Sequence, residues 1–355
     1  MAGILIKNGR VWDGNSFGNC DILTDGNKII KMAPGICEEA AYLYDAKGKI
    51  VSAGLVDTHV HMRGISIQKF GTQGEMSCFP FGVTAAADAG GRHGDKKLLD
   101  SFMLKNVVFV PVDIQNNRAD FTNAERKLRE YGDKAIGLKV YFDAASSQVA
   151  DIAPLQQTCD FAHARGLRVM VHCSNQPVKM AQLRDKLNAG DILTHAFHGG
   201  KNNAAEDDFA SLIQAQDRGV IIDAGFAGHI HTDFGVFRQA IQRGILPNTV
   251  STDITLASAY KRGGRYGMTM CMSMARTAGM QEADIFRAVT SCAAKTLGKE
   301  QQWGYLAVGR TADIAVFDYT HEGFDLTDKA GNRLCDTKGY RCLLTVSDGQ
   351  IIYKY

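Results

Sequence analysis

Apolar stretches of strand length recur through the middle of the chain, and each ends at a polar or charged residue. The predicted strands end near His59, Asp88, Asp113, Lys139, His172, His195, Asp223 and Asp253, at intervals of 23 to 33 residues. Several segments between them have helical periodicity, as in residues 123–131, 150–165 and 234–243. Eight β/α units in succession predict an α/β protein built on a closed (β/α)8 TIM barrel. An open doubly wound sheet is the alternative, but no G-x-G-x-x-G motif follows an early strand.

Both ends of the chain have a different pattern, with short apolar segments separated by turn residues. Asn8-Gly9 and Asp25-Gly26 predict turns in a small antiparallel sheet, and Asp348-Gly349 repeats this style near the C-terminus. Neither end is large enough to bury a core alone, so we expect the two ends to join in one small β-sandwich. The predicted domains are a composite sandwich of residues 1–52 and 302–355 and a barrel of residues 53–301.

Composition argues against several classes of function. The chain has 355 residues, 45% of them hydrophobic and 22% charged, which is ordinary for a folded globular protein. Its formal net charge is only +2 and no long Lys/Arg run occurs, so we expect a small-molecule substrate, with neither nucleic acid nor a membrane as partner. Nine scattered cysteines, never spaced C-x-x-C, argue against a disulfide framework and a structural zinc knuckle. With no secretory signal and no apolar run of membrane-spanning length, the expected location is cytoplasmic.

The first of the predicted strand ends carries two histidines. His59 and His61 are two residues apart, so on an extended strand both imidazoles project from the same face and can reach one point. Taken alone, the pair is better explained as a histidine-rich loop beside a core strand, because histidine is also a common buried or surface residue. A metal-binding interpretation therefore depends on the strand ends that follow.

Four later strand ends carry residues that also suit a metal site: Lys139, His172, His195 and Asp253. Each has an ordinary explanation, since the lysine could extend to the barrel mouth, the histidines could be hydrogen-bonded in the barrel, and the aspartate could cap a helix. All of them, however, lie where parallel barrel strands deliver functional groups. Zinc prefers histidine nitrogen and carboxylate oxygen, so the residues together predict a hydrolytic zinc site with one position open for water.

The order H-x-H, Lys, His, His, Asp on strands one, four, five, six and eight resembles the amidohydrolase superfamily, in its binuclear branch with a carboxylated lysine. Residues 304–313 also resemble the return strand into the split sandwich of that superfamily, so the resemblance covers nearly the whole chain. It implies two divalent metal ions, with zinc as the expected metal. The ligands that it implies are His59, His61 and Asp253 for one ion, His172 and His195 for the other, and carboxylated Lys139 as the shared bridge.

The motifs that most resemble a dihydroorotase-like amidohydrolase/deacetylase group are residues 88–91, 194–199 and 251–254. That group tends to have a Gly-His-Gly turn after strand seven, whereas this chain has His229 and His231 in a different context there. The H-x-H-x-R form that ends at Arg63 matches dihydroorotases and hydantoinase relatives, where the arginine binds a substrate carboxylate. Arg63 is therefore expected to bind substrate. His198 is expected to hydrogen-bond the substrate or a carboxylate near the metal, and Asp57 to orient a ligand histidine.

These features predict a metal-dependent hydrolase of a small anionic amide or acyl ester, with deacetylase-like activity. A metal-bridged hydroxide is the expected nucleophile, and Asp253 the expected general base and acid. A cyclic amidohydrolase of dihydroorotase or hydantoinase type is the alternative activity, and a non-catalytic scaffold is the alternative of another class. A mononuclear deaminase is disfavoured, because His172 is followed by Cys173, Ser174 and Asn175 where that branch carries a glutamate. Resemblance to other barrels of this kind also leads us to expect a homo-oligomer.

Overall fold

The structure is a computed structural model that describes residues 2–62, 70–90, 96–145, 147–260 and 266–355. The first part of the chain forms the strands β1 (Ala2–Trp12), β2 (Phe17–Asp25), β3 (Lys28–Ala33), β4 (Ala40–Asp45) and β5 (Ile50–Ala53). The central part contains β6 (Leu55–Val60), β7 (Val83–Asp88), β8 (Lys105–Pro111), β9 (Asp113–Gln115), β10 (Arg118–Asp120), β11 (Ala135–Tyr141), β12 (Arg168–His172), β13 (Ile192–Thr194) and β14 (Ile221–Asp223). The last part adds β15 (Ile314–Thr320), β16 (Phe324–Thr327), β17 (Arg333–Asp336), β18 (Gly339–Ser347) and β19 (Gln350–Lys354).

Helices separate most of the central strands and follow the last of them. They are α1 (Gly74–Cys78), α2 (Lys96–Ser101), α3 (Thr122–Tyr131), α4 (Ala153–His163), α5 (Met180–Arg184), α6 (Ala210–Asp217), α7 (Phe234–Gln242), α8 (Leu256–Tyr260), α9 (Met268–Ala278), α10 (Glu282–Val289) and α11 (Ser291–Thr296). Shorter 3-10 turns cover Phe79–Phe81, Gly132–Lys134 and Ala204–Asp207. The predicted helical segments correspond to α3, α4 and α7. Over the described ranges, no helix combines the length and the apolar character needed to cross a bilayer.

Seven central strands form the barrel wall, in the parallel order β6-β7-β8-β11-β12-β13-β14. The predicted eighth strand is a pair of isolated bridges rather than a regular strand: Thr249 pairs with Asp223, and Ile254 pairs with Val60. The backbone amide of Asp253 donates to a carbonyl on β6 at 2.8 Å, so this segment closes the sheet on itself. The predicted (β/α)8 barrel is confirmed, although its last strand is irregular.

One predicted strand end is displaced. The strand expected to end near Asp113 ends at Pro111, and Asp113 instead begins the small β9–β10 hairpin. The Val112 amide still donates to the Lys139 carbonyl of the wall at 2.9 Å, but the next residue pairs with Asp120 of the hairpin. The residue at position 113 therefore leaves the barrel wall.

Strands from both ends of the chain form one sheet, as predicted, because β5 pairs antiparallel with β15. Its packed face includes Ile22, Val51 and Val316. The predicted turn at Asn8-Gly9 is wrong: β1 continues through it with a bulge, where Asn8 has a φ of 62°. The sheet is also mixed rather than antiparallel, since β1 pairs in parallel with β4 and β5.

One hairpin of the C-terminal part packs on the barrel. It consists of β16 and β17, and its tip meets the N-terminus of α7, where the Phe234 amide donates to the Asp328 carboxylate at 2.7 Å. Further along the hairpin, Asp336 forms an ion pair with Arg276 on α9 at 2.9 Å. The barrel mouth is thus built from both parts of the chain. The domain limits expected from the sequence, residues 1–52 and 302–355 against 53–301, stay a prediction.

Candidate metal centre

The carboxyl ends of the barrel strands bring all six predicted metal ligands together, each of them buried: His59, His61, Lys139, His172, His195 and Asp253. Two groups can be distinguished, because in each of them the candidate ligand atoms lie within 4.8 Å of one another. His59, His61 and Asp253 form one group, and His172 and His195 form the other together with His231. The sequence left the role of His231 open, and the structure places it in the second group.

Asp253 lies between the two groups. Its Oδ1 is 2.9 Å from His61 Nε2 and 3.3 Å from His59 Nε2. Its Oδ2 is 3.8 Å from both His195 Nε2 and His231 Nε2. One carboxylate therefore faces both sets of imidazoles, which is the position from which it can bind an ion or accept a proton.

Lys139 on β11 is completely buried, and its Nζ is 3.3 Å from His59 Nε2. Burial lowers the pKa of Lys139 to about 8, although Asp253 and Asp223 oppose this shift. With a pKa near 8, roughly a tenth of the amine is neutral at pH 7, whereas an ordinary lysine is almost fully protonated. Burial therefore favours the neutral, nucleophilic form of this amine.

The tautomer of His195 is fixed by its partner. A carbonyl only accepts, so His195 Nδ1 donates to the Gly225 carbonyl at 2.7 Å and Nε2 keeps its lone pair. That buried Nε2 has no hydrogen-bond partner among the described residues. Gly225 has a φ of 54°, and a Cβ there would lie 2.6 Å from His195 Nδ1, so a residue with a side chain would block this approach. An unpartnered, buried lone pair fits a metal ligand.

A chain of hydrogen bonds orients His59. Thr194 Oγ1 donates to Asp223 Oδ2 at 2.7 Å, so His59 Nδ1, which is 3.0 Å from the same hydroxyl, donates to it. His59 Nε2 consequently holds the lone pair that faces the candidate site. Thr249 and Ser251 also donate to Asp223, each at 2.7 Å. Burial raises the pKa of Asp223, and these hydroxyl donors oppose the shift.

Asp57 does not have the role expected from the sequence. Its carboxylate accepts hydrogen bonds from the backbone amides of His59 at 3.2 Å and Thr252 at 3.1 Å, and from the Thr252 hydroxyl at 2.6 Å. It therefore ties β6 to the segment that closes the barrel, rather than holding an imidazole. Burial raises the pKa of Asp57 to about 7, with these hydrogen bonds opposing. Asp223, which the sequence placed only at a strand end, orients His59 instead.

Two of the candidate ligands have a strained backbone. His195 has a φ of 65° and Asp253 a φ of 46°, both in the left-handed region that residues with a Cβ avoid. Such conformations cost about 1–3 kcal/mol each and concentrate at functional sites, where the surrounding structure holds them. Strain at two facing residues supports a functional role for this cluster.

Burial favours the neutral form of four imidazoles in the cluster. Burial lowers the pKa values of His59, His172 and His195, and neighbouring cationic groups add to this effect. Burial also lowers the pKa of His231, where Asp253 opposes the shift and Lys329 adds to it. Neutral imidazole is the form that binds a metal. The donor set, its burial and the unpartnered Nε2 of His195 therefore fit divalent ions.

A cavity of about 300 Å³ adjoins the second group of histidines. Its lining includes Ser174, His198, His231, Asp233, Asp328 and Lys329. Ser174 Oγ lies 2.7 Å from His172 Nε2 and 3.0 Å from His231 Nδ1, which connects the cavity to the cluster. His198, predicted to bind substrate, does line this cavity. Arg63, the other predicted substrate-binding residue, lies outside the described residues.

The model of the amidohydrolase family matches residues 50–351. The chain therefore belongs to the amidohydrolase family, whose members generally use divalent metal ions, and it is a hydrolase that acts on amide or other C–N bonds. A deacetylase from Enterococcus faecalis is 28% identical over 374 residues, which cover 98% of each chain. Among solved structures, a dihydroorotase superposes with a TM-score of 0.86 at 22% identity, and an adenine deaminase with 0.85 at 26% identity, each over 100% of both chains. The dihydroorotase likeness shows the fold alone.

Proposed function

We propose that the protein is a deacetylase-like hydrolase, which removes an acyl group from a small anionic amide or ester with the help of two divalent ions, expected to be zinc. The proposal depends on one observation: Asp253 lies between two groups of buried histidines, with Lys139 nearby. The likeness to a deacetylase over nearly the whole chain favours an acyl substrate. The dihydroorotase likeness, which concerns the fold, supports a cyclic amide less well.

The residues present fit the metal pair of the proposal. The ligands would be His59, His61 and Asp253 for one ion, and His172 and His195 for the other, with His231 close to the second set. A buried ammonium would repel two cations, whereas a carboxylated Lys139 would offer them two anionic oxygens. We therefore propose that Lys139 is carboxylated.

Each side chain of the site would then have its own role in the reaction. When bound, the ions would lower the pKa of water and polarise the scissile carbonyl. Asp253 would accept the proton of the attacking water and deliver it to the leaving nitrogen or oxygen, since its Oδ2 faces the cavity side of the cluster. The Thr194–Asp223 chain would keep the His59 lone pair directed at the site.

A substrate screen on zinc-loaded protein tests the activity. N-acetyl amino acids, acetylated hydroxy acids, dihydroorotate and hydantoins would be compared, and we expect acetate release from the first two classes. Ring opening without acetate release would replace the proposal with the cyclic amidohydrolase alternative. The complete set of six candidate ligands already disfavours a non-catalytic scaffold. Turnover of none of these compounds would contradict the proposal.

Metal analysis tests the cofactor independently of substrate. Purified protein should hold up to two divalent ions per chain, and chelation should abolish hydrolysis because the water is activated only by metal. A fully active sample with at most one ion per chain would contradict the binuclear site. On composition and resemblance, we further propose a cytoplasmic homo-oligomer that has no nucleic-acid partner.

A further inference from the structure

The cavity beside the histidines has walls from two distant parts of the chain. One wall comes from the barrel and includes Ser174, His198 and His231. Another part of the wall is the tip of the β16–β17 hairpin, with Asp328 and Lys329. A segment of the C-terminal part therefore completes a cavity at the mouth of the barrel.

The hairpin tip is held in place by hydrogen bonds around Asp328. This carboxylate is 7% exposed and accepts from the Phe234 amide at 2.7 Å and from the Asn332 and Ala330 amides at 2.9 Å each. The Asn332 side chain in turn donates to Asp233, the N-cap of α7, at 3.1 Å. Both acidic residues of the lining thus use oxygens to fix the backbone. These hydrogen bonds fix the backbone of the hairpin tip and therefore the position of Lys329, the residue after Asp328.

That residue, Lys329, brings a positive charge to the cavity. It is the only lysine or arginine of the described lining, and its side chain is exposed. Over the part of the chain that the structure describes, its ammonium forms no salt bridge, whereas the lysines at 96 and 105 do. The two acidic neighbours are already hydrogen-bonded to amides. Lys329 is consequently available to an anion.

His198, which also lines this cavity, has a hydrogen-bond donor without a partner. The Gly200 amide donates to His198 Nδ1 at 3.1 Å, and an N–H can only donate, so the ring proton of His198 is on Nε2. That Nε2 is buried and has no hydrogen-bond partner among the described residues, and the whole side chain is only 2% exposed. A buried donor without a partner is costly unless a ligand accepts from it. The residues that line the cavity thus include a cation without a salt bridge and an N–H without a described partner.

We propose that Lys329 and the His198 Nε2–H bind the carboxylate of the substrate, an assignment that rests on the proposed hydrolysis of a small anionic amide or ester. His231 connects this anion site to the candidate metal centre, because it lines the cavity and its Nε2 is 3.8 Å from Asp253 Oδ2. An anion held at the hairpin tip would therefore place the acyl bond of the same small molecule beside Asp253. The hairpin contributes a specificity-determining residue that lies outside the barrel strands.

The test compares an acid with its neutral amide. The N-acetyl amino acid that the wild type hydrolyses best and its primary carboxamide would be assayed with wild type, Lys329→Met and Lys329→Glu. Loss of a charge-assisted hydrogen bond should raise KM for the acid about 10- to 100-fold, with kcat nearly unchanged. The carboxamide should keep its KM in Lys329→Met, and Lys329→Glu should penalise the acid further. Lys338→Met, at an exposed lysine that does not line the cavity, is the matched control.

A binding measurement separates this inference from the proposed function. The dissociation constants of N-acetylglycine and N-acetylglycinamide for the metal-free protein would be measured by calorimetry, and Lys329→Met should weaken only the acid. Such selective weakening without hydrolysis of any acetylated compound would keep the anion site and overturn the proposed function. Equal binding and equal KM for the acid in wild type and Lys329→Met would overturn the inference. If only Arg63→Met affected the acid, the carboxylate would be assigned to Arg63 instead, and the inference would be wrong.

Discussion

Thr194→Val is expected to reduce metal affinity by removing the hydroxyl that orients His59. Valine has nearly the same shape as threonine, so the completely buried position on β13 remains filled. The hydroxyl, however, lies between His59 Nδ1 at 3.0 Å and Asp223 Oδ2 at 2.7 Å. Without it, nothing in this chain of hydrogen bonds fixes the proton on Nδ1, so the ring can adopt the tautomer that has no lone pair at Nε2.

The size of the effect follows from the contacts that are lost. Loss of a partner that orients a ligand histidine typically costs 10- to 100-fold in metal affinity, or about 1.4–2.8 kcal/mol. The free energy of unfolding should fall by roughly 1–3 kcal/mol, since a buried N–H loses its acceptor. Asp223 keeps the Thr249 and Ser251 donors at 2.7 Å each, so the barrel should still close.

Competition with a metal-binding dye measures the affinity, and thermal unfolding of the metal-free protein measures stability. Thr194→Ser restores the hydroxyl and should recover most of the affinity. Ser251→Ala removes another donor to Asp223 that makes no hydrogen bond to His59, so it should lower stability and leave the affinity within about threefold. Wild-type affinity in Thr194→Val, or an equal loss in Ser251→Ala, would refute the role given to the hydroxyl.

Three further substitutions test the other assignments. Lys139→Ala should lose the metal pair by elemental analysis, and retention of both ions and full turnover without added short carboxylates would show that the lysine is not the bridge. Asp253→Asn should keep the fold but lower kcat by about 10²- to 10⁴-fold because an amide cannot carry the proton, and near wild-type kcat would require another base. Arg63→Met should raise KM for an anionic substrate by about 10- to 100-fold with unchanged metal content, and an equal change for the neutral amide would contradict this role.

The clustering of the six candidate ligands could be anticipated from sequence because it depends on local pattern. An apolar strand that ends in a histidine places that histidine at the carboxyl end, and in a parallel barrel all carboxyl ends meet at one mouth. The position of His172 could be predicted without knowing the loop conformations, because this residue is the last of β12. His195 illustrates the limit of this logic, since it follows β13 with a φ of 65° and is positioned by the Gly225 carbonyl from the next strand end.

The groups that orient the candidate ligands could not be predicted from the sequence in the same way. Asp57 follows the apolar residues Leu55 and Val56 and lies two positions before His59, so in sequence it resembles an orienting carboxylate as much as Asp223 does. Their roles differ because Asp57 accepts from two backbone amides and the Thr252 hydroxyl, whereas Asp223 accepts only from hydroxyls, one of which also contacts His59. The only sequence signal is the recurrence of hydroxyl residues at positions 194, 249 and 251, which acquires meaning once the strands are aligned.

The hairpin wall of the cavity could not be predicted from sequence patterns at all. The reason concerns how such a barrel acquires substrate specificity. Lys329 reaches the mouth only because Asp328 binds the N-terminus of α7 and Asp336 pairs with Arg276 on α9. Those contacts join residues 94 and 60 positions apart in the chain, so no local periodicity predicts them. The candidate metal ligands, by contrast, are placed by strands that the fold itself requires. A change in the hairpin tip could therefore alter which anion is bound while leaving the metal centre intact, and this separation is what the Lys329 variants would measure.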